Sequence, residues 1–227
     1  MADRPILFRA PMVCAILREI EKHGTGKTQT RRIIKEAKSC FHGTMYPSFI
    51  NGERAGYTSH PSFDDLTSEN QANPLYLSVA PYCPGDRLWV RESLERVNSE
   101  TVGYSADGSL LPNSAWRWQR DKIPAIHMPR RMSRITLNVT DVRINRLQDI
   151  SENDAKAEGV EYREDMWGTW NDDGTLRCGG SPDAREAFRC LWININGTGS
   201  WEANPFVVVL TFRPILCSID QVKALAA

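Results

Sequence analysis

The chain of 227 residues lacks an excess of charge of either sign, because 28 lysines and arginines are balanced by 28 aspartates and glutamates. No general attraction to nucleic acid or to an anionic membrane is therefore expected. Long hydrophobic runs are also missing: a stretch such as Phe206–Leu210 is far shorter than the roughly 20 residues that cross a bilayer. The first residues contain no apolar segment typical of a secretory leader, so we expect a cytoplasmic protein with no membrane partner.

The sequence also lacks a recognisable metal-binding pattern. The six cysteines include no C-x-x-C pair, and the four histidines include no i,i+4 pair. Residues 171–174 resemble part of a calcium loop, but the first and twelfth ligand positions would be Thr169 and Gly180. We therefore predict that the protein uses no metal and no other cofactor.

The segment GTGKTQTRR, from Gly24 to Arg32, resembles the second half of a phosphate-binding loop. Such a loop needs a glycine five positions before Gly26, where this chain has Glu21, whose carboxylate would repel phosphate. The loop should also follow a buried strand, whereas residues 11–21 have the apolar spacing of a helix. These features argue against a nucleotide-binding loop.

Strands and helices are predicted from the spacing of apolar residues. Residues 11–21 and 152–158 fit helices, and a third helix is predicted to begin at Ser181. Strands are predicted at Ile6–Phe8, Thr28–Ile34, Arg87–Glu92, Ser133–Ile144 and Pro205–Phe212.

The long strand that begins at Ser133 changes the parity of its apolar residues between Val139 and Val142, which predicts a β-bulge near Thr140–Asp141. Such kinks curve the strands of small barrels, and no regular alternation of strands and helices is visible. We therefore predict an α+β fold, a small mixed and mostly antiparallel β-barrel with helices at its rim. A single domain should span residues 1–227, with inserts at about 36–80, 98–125 and 161–180.

Lys27 and Thr30 follow the turn at Gly24–Gly26 and are the first candidates for chemistry. A threonine hydroxyl beside an amine is a nucleophile arrangement, with the amine as base if burial lowers its pKa. On a straight strand the two side chains would point to opposite faces, so they converge only if the backbone still turns at Lys27–Gln29. The alternative is a solvated lysine beside an ordinary strand threonine.

Glu158 is the last residue of a predicted short helix that Gly159 ends. A carboxylate there faces the negative end of the helix dipole, which costs about 0.3–1 kcal/mol when the group is exposed. This position favours a protonated glutamate that acts as a general acid. It is equally consistent with a surface glutamate whose small penalty is tolerated.

Four further residues are predicted to bind substrate. Glu92 closes the strand at Arg87–Glu92, where it could orient a ligand or pair with Arg91 or with another base. Trp89 and Arg91 on the same strand, and Arg31 beside Thr30, complete this set.

Aromatic and basic residues are interleaved in the middle of the chain. Trp116 and Trp118 alternate with arginines, and Arg130, Arg131 and Arg134 follow. Such mixtures suit stacking on nucleobases and contact with phosphates. Two tryptophans at a spacing of two residues are also typical of half-buried packing, so both interpretations stay open.

Four segments together resemble the ASCH family of PUA-like β-barrel domains. They occur in the order expected of the longer, prophage-encoded members, and the three inserts lie outside the resemblance. The segments are GTGKTQTRR (24–32), PGDRLWVRE (84–92), RITLNVTDVRINRLQDISENDAKAEGV (134–160) and NPFVVVLTFRPI (204–215).

The resemblance implies an amide hydrolase that acts on an acylated nucleobase or nucleoside without a cofactor. A small bacterial ASCH protein removes the acetyl group from acetylated cytidine. Its catalytic lysine and threonine lie in a G-x-K-T-x-T-x-R segment that matches Lys27 and Thr30, and its catalytic glutamate matches Glu158. Other ASCH relatives bind or cleave RNA, so the alternatives are a non-catalytic RNA- or DNA-binding module of a phage or prophage, and a ribonuclease.

Overall fold

The computed structural model describes residues 2–34, 46–50, 53–58, 82–98, 101–111, 116, 118–171 and 175–225. Within them, the helices are α1 (Ala10–Glu21), α2 (Glu152–Ala157), α3 (Ala184–Asn196) and α4 (Ile219–Leu225). The strands are β1 (Asp3–Leu7), β2 (Gln29–Ile33), β3 (Tyr46–Ile50), β4 (Glu53–Thr58), β5 (Arg87–Arg91), β6 (Leu94–Arg96), β7 (Val102–Tyr104), β8 (Leu110–Leu111), β9 (Lys122–Ile123), β10 (Thr136–Arg146), β11 (Glu161–Arg163), β12 (Met166–Trp170), β13 (Leu176–Ser181) and β14 (Phe206–Ile215).

The largest sheet has the strand order β1-β5-β10-β14-β2. β1 runs parallel to β5, and the other pairings in this sheet are antiparallel. The predicted α+β class with mostly antiparallel strands is therefore confirmed. The described strands do not close into a barrel, because β1 and β2 remain at opposite edges of this sheet.

The neighbouring strands β10 and β14 contribute many of the buried residues of the hydrophobic core. Residues 206–210 of β14 are all buried, as expected for a strand covered on both faces. β10 pairs with β14 along nearly its whole length, and the register shifts between Val139 and Asp141. The bulge predicted from the change of parity is thus confirmed, and it keeps both Val139 and Val142 in the core.

Helix α1 packs one apolar face, including Met12, Val13 and Ile16, into the same core. Pro11 lies in its first turn, where the missing amide hydrogen costs nothing. The short helix α2 begins after Ser151, whose hydroxyl accepts a hydrogen bond from the Asp154 amide. Both helices therefore begin and end close to where the sequence predicted.

The stretches predicted to be irregular inserts contain further sheets. Within 98–125, strands β7, β8 and β9 join β6 in a sheet with the order β8-β7-β6-β9, and within 161–180 the strands β11, β12 and β13 form another. Of the insert at 36–80, the structure describes only the hairpin β3–β4, and the rest lies outside the described residues. No helix of the described residues is long and apolar enough to cross a membrane.

Candidate active site

A cleft of about 420 Å³ lies between α1, β2 and α3. Its polar part contains Lys27, Thr30, Arg31, Arg32 and Glu158, and most of its remaining wall is apolar. The apolar wall includes Phe8, Met12, Phe188, Leu191, Trp192 and Ile195. The three residues predicted to be catalytic therefore line one cleft.

The backbone of Lys27 is fixed between two helices. The Lys27 amide donates to the carbonyl of Ala15 in α1, and the Thr28 amide donates to the carbonyl of Ala157 in α2. The pairing of β2 with β14 begins at Gln29, and the Thr28 carbonyl still accepts from the Phe212 amide of β14, so Lys27 lies just before the strand. Lys27 and Arg31 both bind the Glu158 carboxylate, and Thr30 lines the same cleft.

The Lys27 ammonium is directed at Glu158. Lys27 is 1% exposed, and its Nζ donates to the Glu158 main-chain oxygen and to Glu158 Oε2, each at 2.7 Å. Glu158 is itself 4% exposed at the C-terminal end of α2. The alternative of a solvated lysine and a surface glutamate is thus wrong for both residues.

Burial lowers the pKa of Lys27, because a charged ammonium loses its hydration in the core, and the negative charge of Glu158 offsets part of this effect. Arg31 also binds Glu158, through Nη1 and Oε1 at 3.1 Å. One carboxylate therefore bridges two buried cations.

A second carboxylate holds Arg31 from the other side. Asp154 Oδ2 accepts from Arg31 Nη2 at 2.8 Å, and Asp154 Oδ1 accepts from Gln29 Nε2 at 3.1 Å and from Arg143 Nη2 at 2.8 Å. Gln29 Oε1 in turn accepts from Arg31 Nη1 at 2.6 Å. The Arg31 Nε is buried and has no hydrogen-bond partner. This network fixes the guanidinium that orients Glu158.

Thr30 is 4% exposed and lies opposite Leu210 in the pairing of β2 with β14. Within the described residues, the hydrogen bonds of the Lys27 ammonium go to Glu158 and none goes to the Thr30 hydroxyl. Catalytic hydrogen bonds are often long in unliganded enzymes and tighten when substrate binds. All three residues thus line one cleft, in which the lysine is paired with the glutamate.

The turn that precedes Lys27 is organised by Glu19, which the sequence analysis missed. Glu19 is 4% exposed, and its carboxylate accepts from the amides of Gly24, at 3.0 Å, and Gly26, at 2.9 Å. These are the amides that a phosphate-binding loop would offer to its ligand. The loop therefore binds the Glu19 carboxylate, so these two amides are not free to bind the phosphate of a nucleotide.

We expect Gly26→Ala to lower the free energy of unfolding by about 3 kcal/mol. A Cβ at Gly26 would lie 2.6 Å from Glu19 Cβ and closer still to backbone atoms of Ala15 and Glu19, which cannot move without displacing α1. Gly24→Ala is the matched control: Gly24 has φ +82° but no atom within 4 Å of the added Cβ, so only the left-handed backbone costs about 1 kcal/mol. Urea unfolding of both variants measures the difference, and equal losses would contradict the close packing of Gly26.

We expect Asp154→Asn to lower the free energy of unfolding at pH 7 by about 1–3 kcal/mol. Burial alone would raise the pKa of Asp154, but the charge of Arg31 and the hydrogen bonds of Arg143 and Gln29 outweigh it, so the pKa is lowered. A lowered pKa contributes stability above pH 4 or so, and that stability is lost as the pH falls through the folded-state pKa.

The stability of the Asp154→Asn variant should therefore depend less on pH below about pH 4 than that of the unmodified protein. Asp149→Asn, which changes an exposed aspartate near α2, is the control and should leave the loss of stability at acidic pH unchanged. Denaturant unfolding at a series of pH values from acidic to neutral gives the change of the unfolding free energy with pH for each variant. Identical slopes for Asp154→Asn and the unmodified protein would contradict this account of Asp154.

The other residues predicted to bind substrate are not among those that line the cleft in the described part of the chain. Trp89 is 6% exposed, and the Arg91 guanidinium lies over its ring at 4.8 Å. Glu92 is 1% exposed and pairs with Arg134, at 2.9 and 2.8 Å, rather than with Arg91. Of the predicted substrate-binding set, only Arg31 lies in the cleft.

The predicted nucleic-acid-binding residues are largely engaged within the molecule. Trp116 is 9% exposed and packs edge-on against Trp118, with ring centroids 5.2 Å apart, in a second hydrophobic cluster around Leu94 and Met128. Arg130 pairs with Asp3 and Asp220, and Arg134 pairs with Glu92 and Asp107, whereas Arg131 is exposed. The packing interpretation of the two tryptophans is therefore the one that the structure favours.

Gln29, Arg31, Asp154 and Glu158 form a network that two sequence spacings could have indicated. Gln29 and Arg31 share one face of β2 because strand side chains alternate, and Asp154 and Glu158 lie four residues apart, on one side of a helix.

Comparison of the chain with protein-family models, with curated proteins and with solved structures finds no match.

Proposed function

We propose that this protein is an amide hydrolase acting on an acylated nucleobase or nucleoside of the acetylated cytidine type, with no cofactor. The observation that carries the proposal is the shared cleft of Lys27, Thr30 and Glu158, in which Lys27 Nζ lies 2.7 Å from Glu158 Oε2. The resemblance of the sequence to the ASCH family, with its PUA-like barrel, supports the same three roles.

The buried pair of Lys27 and Glu158 can hold its shared proton on either side. With the proton on the amine, both groups are charged. With the proton on the carboxyl, Lys27 is a neutral base and Glu158 is an acid, which are the two forms that acyl transfer from an amide requires. Burial lowers the pKa of Lys27, which makes its neutral, basic form easier to reach.

The reaction then proceeds in two halves. Lys27 Nζ takes the proton of the Thr30 hydroxyl while the Thr30 oxygen forms a bond to the acyl carbon. As the carbon–nitrogen bond breaks, Glu158 gives its proton to the leaving amine, and the acyl group remains as an ester on Thr30. A water molecule then attacks this ester, its proton passes to the Glu158 carboxylate, and the Lys27 ammonium returns a proton to the Thr30 oxygen as the carboxylic acid leaves.

Incubation of the purified protein with acetylated cytidine tests the proposal directly. We expect equimolar cytidine and acetate, separated and quantified by chromatography, and no release by Lys27→Ala that has been shown to be folded by circular dichroism. Arg213→Ala, at an exposed arginine on β14, is the control and should release cytidine at the rate of the unmodified protein. Failure of the unmodified protein to release cytidine, or equal release by Lys27→Ala, would exclude the proposal.

The alternatives are a nucleic-acid-binding module and a ribonuclease, and no observation on the described residues favours either of them. Trp116 lies in a hydrophobic cluster, and the guanidiniums of Arg130 and Arg134 are each held by two carboxylates. A basic and aromatic surface for nucleic acid would need these groups to be accessible.

A further inference from the structure

Two arginines of the cleft, Arg9 and Arg32, form no close ion pair among the residues that the structure describes, although burial lowers the pKa of Arg32 and the charges of Tyr82 and Glu158 offset part of this effect. Arg32 Nη2 donates to the Leu7 carbonyl at 2.6 Å, and its guanidinium lies 4.9 Å from the centre of the Phe8 ring. Arg9 is exposed, and its Nη2 donates to the Ile195 carbonyl at 3.2 Å. Each therefore has further N–H donors beside the cleft that no described carboxylate occupies.

The other two cations of the cleft are compensated. Lys27 pairs with Glu158, and Arg31 pairs with both Glu158 and Asp154. Within the described ranges no ion pair compensates Arg9 or Arg32, and Glu158, which attracts Arg32 at longer range, is already bound by Lys27 and Arg31. Within a partly enclosed cleft, such an excess attracts anions more strongly than the same charges would on an open surface.

A buried donor without a partner also lies in this cleft wall. Arg31 lines the cleft, its side chain is 1% exposed, and its Nε has no hydrogen-bond partner. A buried N–H group without an acceptor destabilises a protein, so such groups are rare in native structures. Because this Nε is itself buried, it is not counted among the donors available to a ligand.

The rest of the wall is suited to a flat, partly apolar group. The Phe8 and Phe188 rings and the Trp192 indole border the same cleft, whose volume of about 420 Å³ lies within the range of small-molecule pockets. These side chains are 3–5% exposed, so they form an apolar boundary of the cleft rather than free ring faces. The cleft thus combines this aromatic wall with two guanidiniums that no described carboxylate pairs.

We propose that the cleft takes a nucleoside monophosphate rather than a neutral nucleoside, with the phosphate monoester held by Arg9 and Arg32. This inference rests on the proposed function, because it takes the ligand to be a nucleotide whose base is the one that the hydrolase would deacylate. Arginine forms paired, charge-assisted hydrogen bonds with phosphate, and a monoester offers more charge and more free oxygens than a diester.

Isothermal titration of the full chain with unreactive ligands tests the inference without any need for turnover. We expect cytidine 5′-monophosphate to bind about tenfold or more tightly than cytidine, since hydrogen bonds to charged groups are the stronger class. Arg32→Gln and Arg9→Gln should each remove most of this difference and leave cytidine binding within about twofold. Arg32→Lys should keep part of it, since lysine retains the charge but not the fork of donors.

Arg213→Gln is the matched control, because it removes the same charge from an exposed arginine of β14 that does not line the cleft. It should leave both dissociation constants unchanged. Equal binding of cytidine and its monophosphate, or no measurable binding of the monophosphate, overturns the inference. If a cytidine dinucleotide binds as tightly as the monophosphate, the site does not prefer a phosphate monoester over a diester. If inorganic phosphate binds as tightly as the monophosphate, the aromatic wall and the nucleoside add nothing to binding.

The outcome is separate from that of the proposed function. Hydrolysis of acetylated cytidine and of its 5′-monophosphate at equal kcat/KM would support the hydrolase and contradict the phosphate site. Tight, Arg32-dependent binding of the monophosphate without any hydrolysis would support the phosphate site and contradict the hydrolase.

Discussion

Thr30→Val should lower the rate of acetylated cytidine hydrolysis by at least about a thousandfold, the scale seen when a nucleophile is removed. Valine has nearly the shape of threonine and the same preference for a strand, so Thr30→Val changes the hydroxyl and little else. Thr30 lies within the pairing of β2 with β14, where valine fits without a change of register. The measurement is the rate of cytidine release at saturating substrate.

Thr30→Ser is the matched variant, because it retains a hydroxyl at the same place while losing the methyl group. It should keep a measurable part of the activity, well above that of Thr30→Val. The unfolding midpoints of the two variants should lie close to that of the unmodified protein. A Thr30→Val variant that hydrolyses at the unmodified rate would remove Thr30 from the mechanism.

Lys27→Met should lower the free energy of unfolding by about 3 kcal/mol, the lower end of the usual cost of breaking a buried ion pair, because Arg31 still binds Glu158. Methionine fills much of the space of the lysine stem, so the loss arises from the Glu158 carboxylate rather than from a cavity. That carboxylate is 4% exposed and would keep Arg31 as its only cationic partner among the described residues. Urea denaturation at pH 7 measures the change.

The double variant Lys27→Met/Glu158→Gln should recover a large part of that stability, because it removes both charges of the pair and leaves Arg31 bound by Asp154. Glu158→Gln alone leaves the Lys27 ammonium buried without its carboxylate and should be destabilised by a similar amount. The double-mutant cycle therefore has a large coupling energy. If the double variant instead lost as much stability as the two single variants added together, the two groups would not be paired.

The elements of the main sheet could be predicted from the sequence because each has a strong local pattern. The apolar face of α1 and the continuous apolar run at 206–210 are each visible within a dozen residues. The change of parity in β10 even located its bulge. Local periodicity is enough wherever one element meets the core through a single face.

The smaller sheets could not be predicted in the same way. Strands such as β8 and β9 have two residues each, which is too short to show any alternation. Their pairing depends on partners elsewhere in the chain, as when β9 pairs with β6 across the loop that includes β7 and β8. Barrel closure, which is not seen among the described strands, is hard to predict for a related reason, since it depends on whether the edge strands β1 and β2 meet.

In the candidate site, too, the local sequence indicates single residues but not the contacts between distant ones. Lys27, Thr30 and Glu158 were singled out from their sequence positions, but the contact between Lys27 and Glu158 joins residues 131 positions apart. Period-two and i,i+4 spacings contain the information that Arg31 faces Asp154 and Glu158, but only after β2 and α2 are known to be neighbours. The partner of Glu92 was likewise decided by tertiary packing, which brings Arg134 to it.

The most direct test of this account is to trap the acyl group on the protein during turnover. We predict that acid quenching with acetylated cytidine, followed by peptide mapping by mass spectrometry, finds an acetyl ester on Thr30. The modification should be absent from Thr30→Val. Rapid cytidine release with no acetyl group on Thr30, and with undiminished rate in Thr30→Val, would contradict the central claim that Lys27, Thr30 and Glu158 form one hydrolytic site.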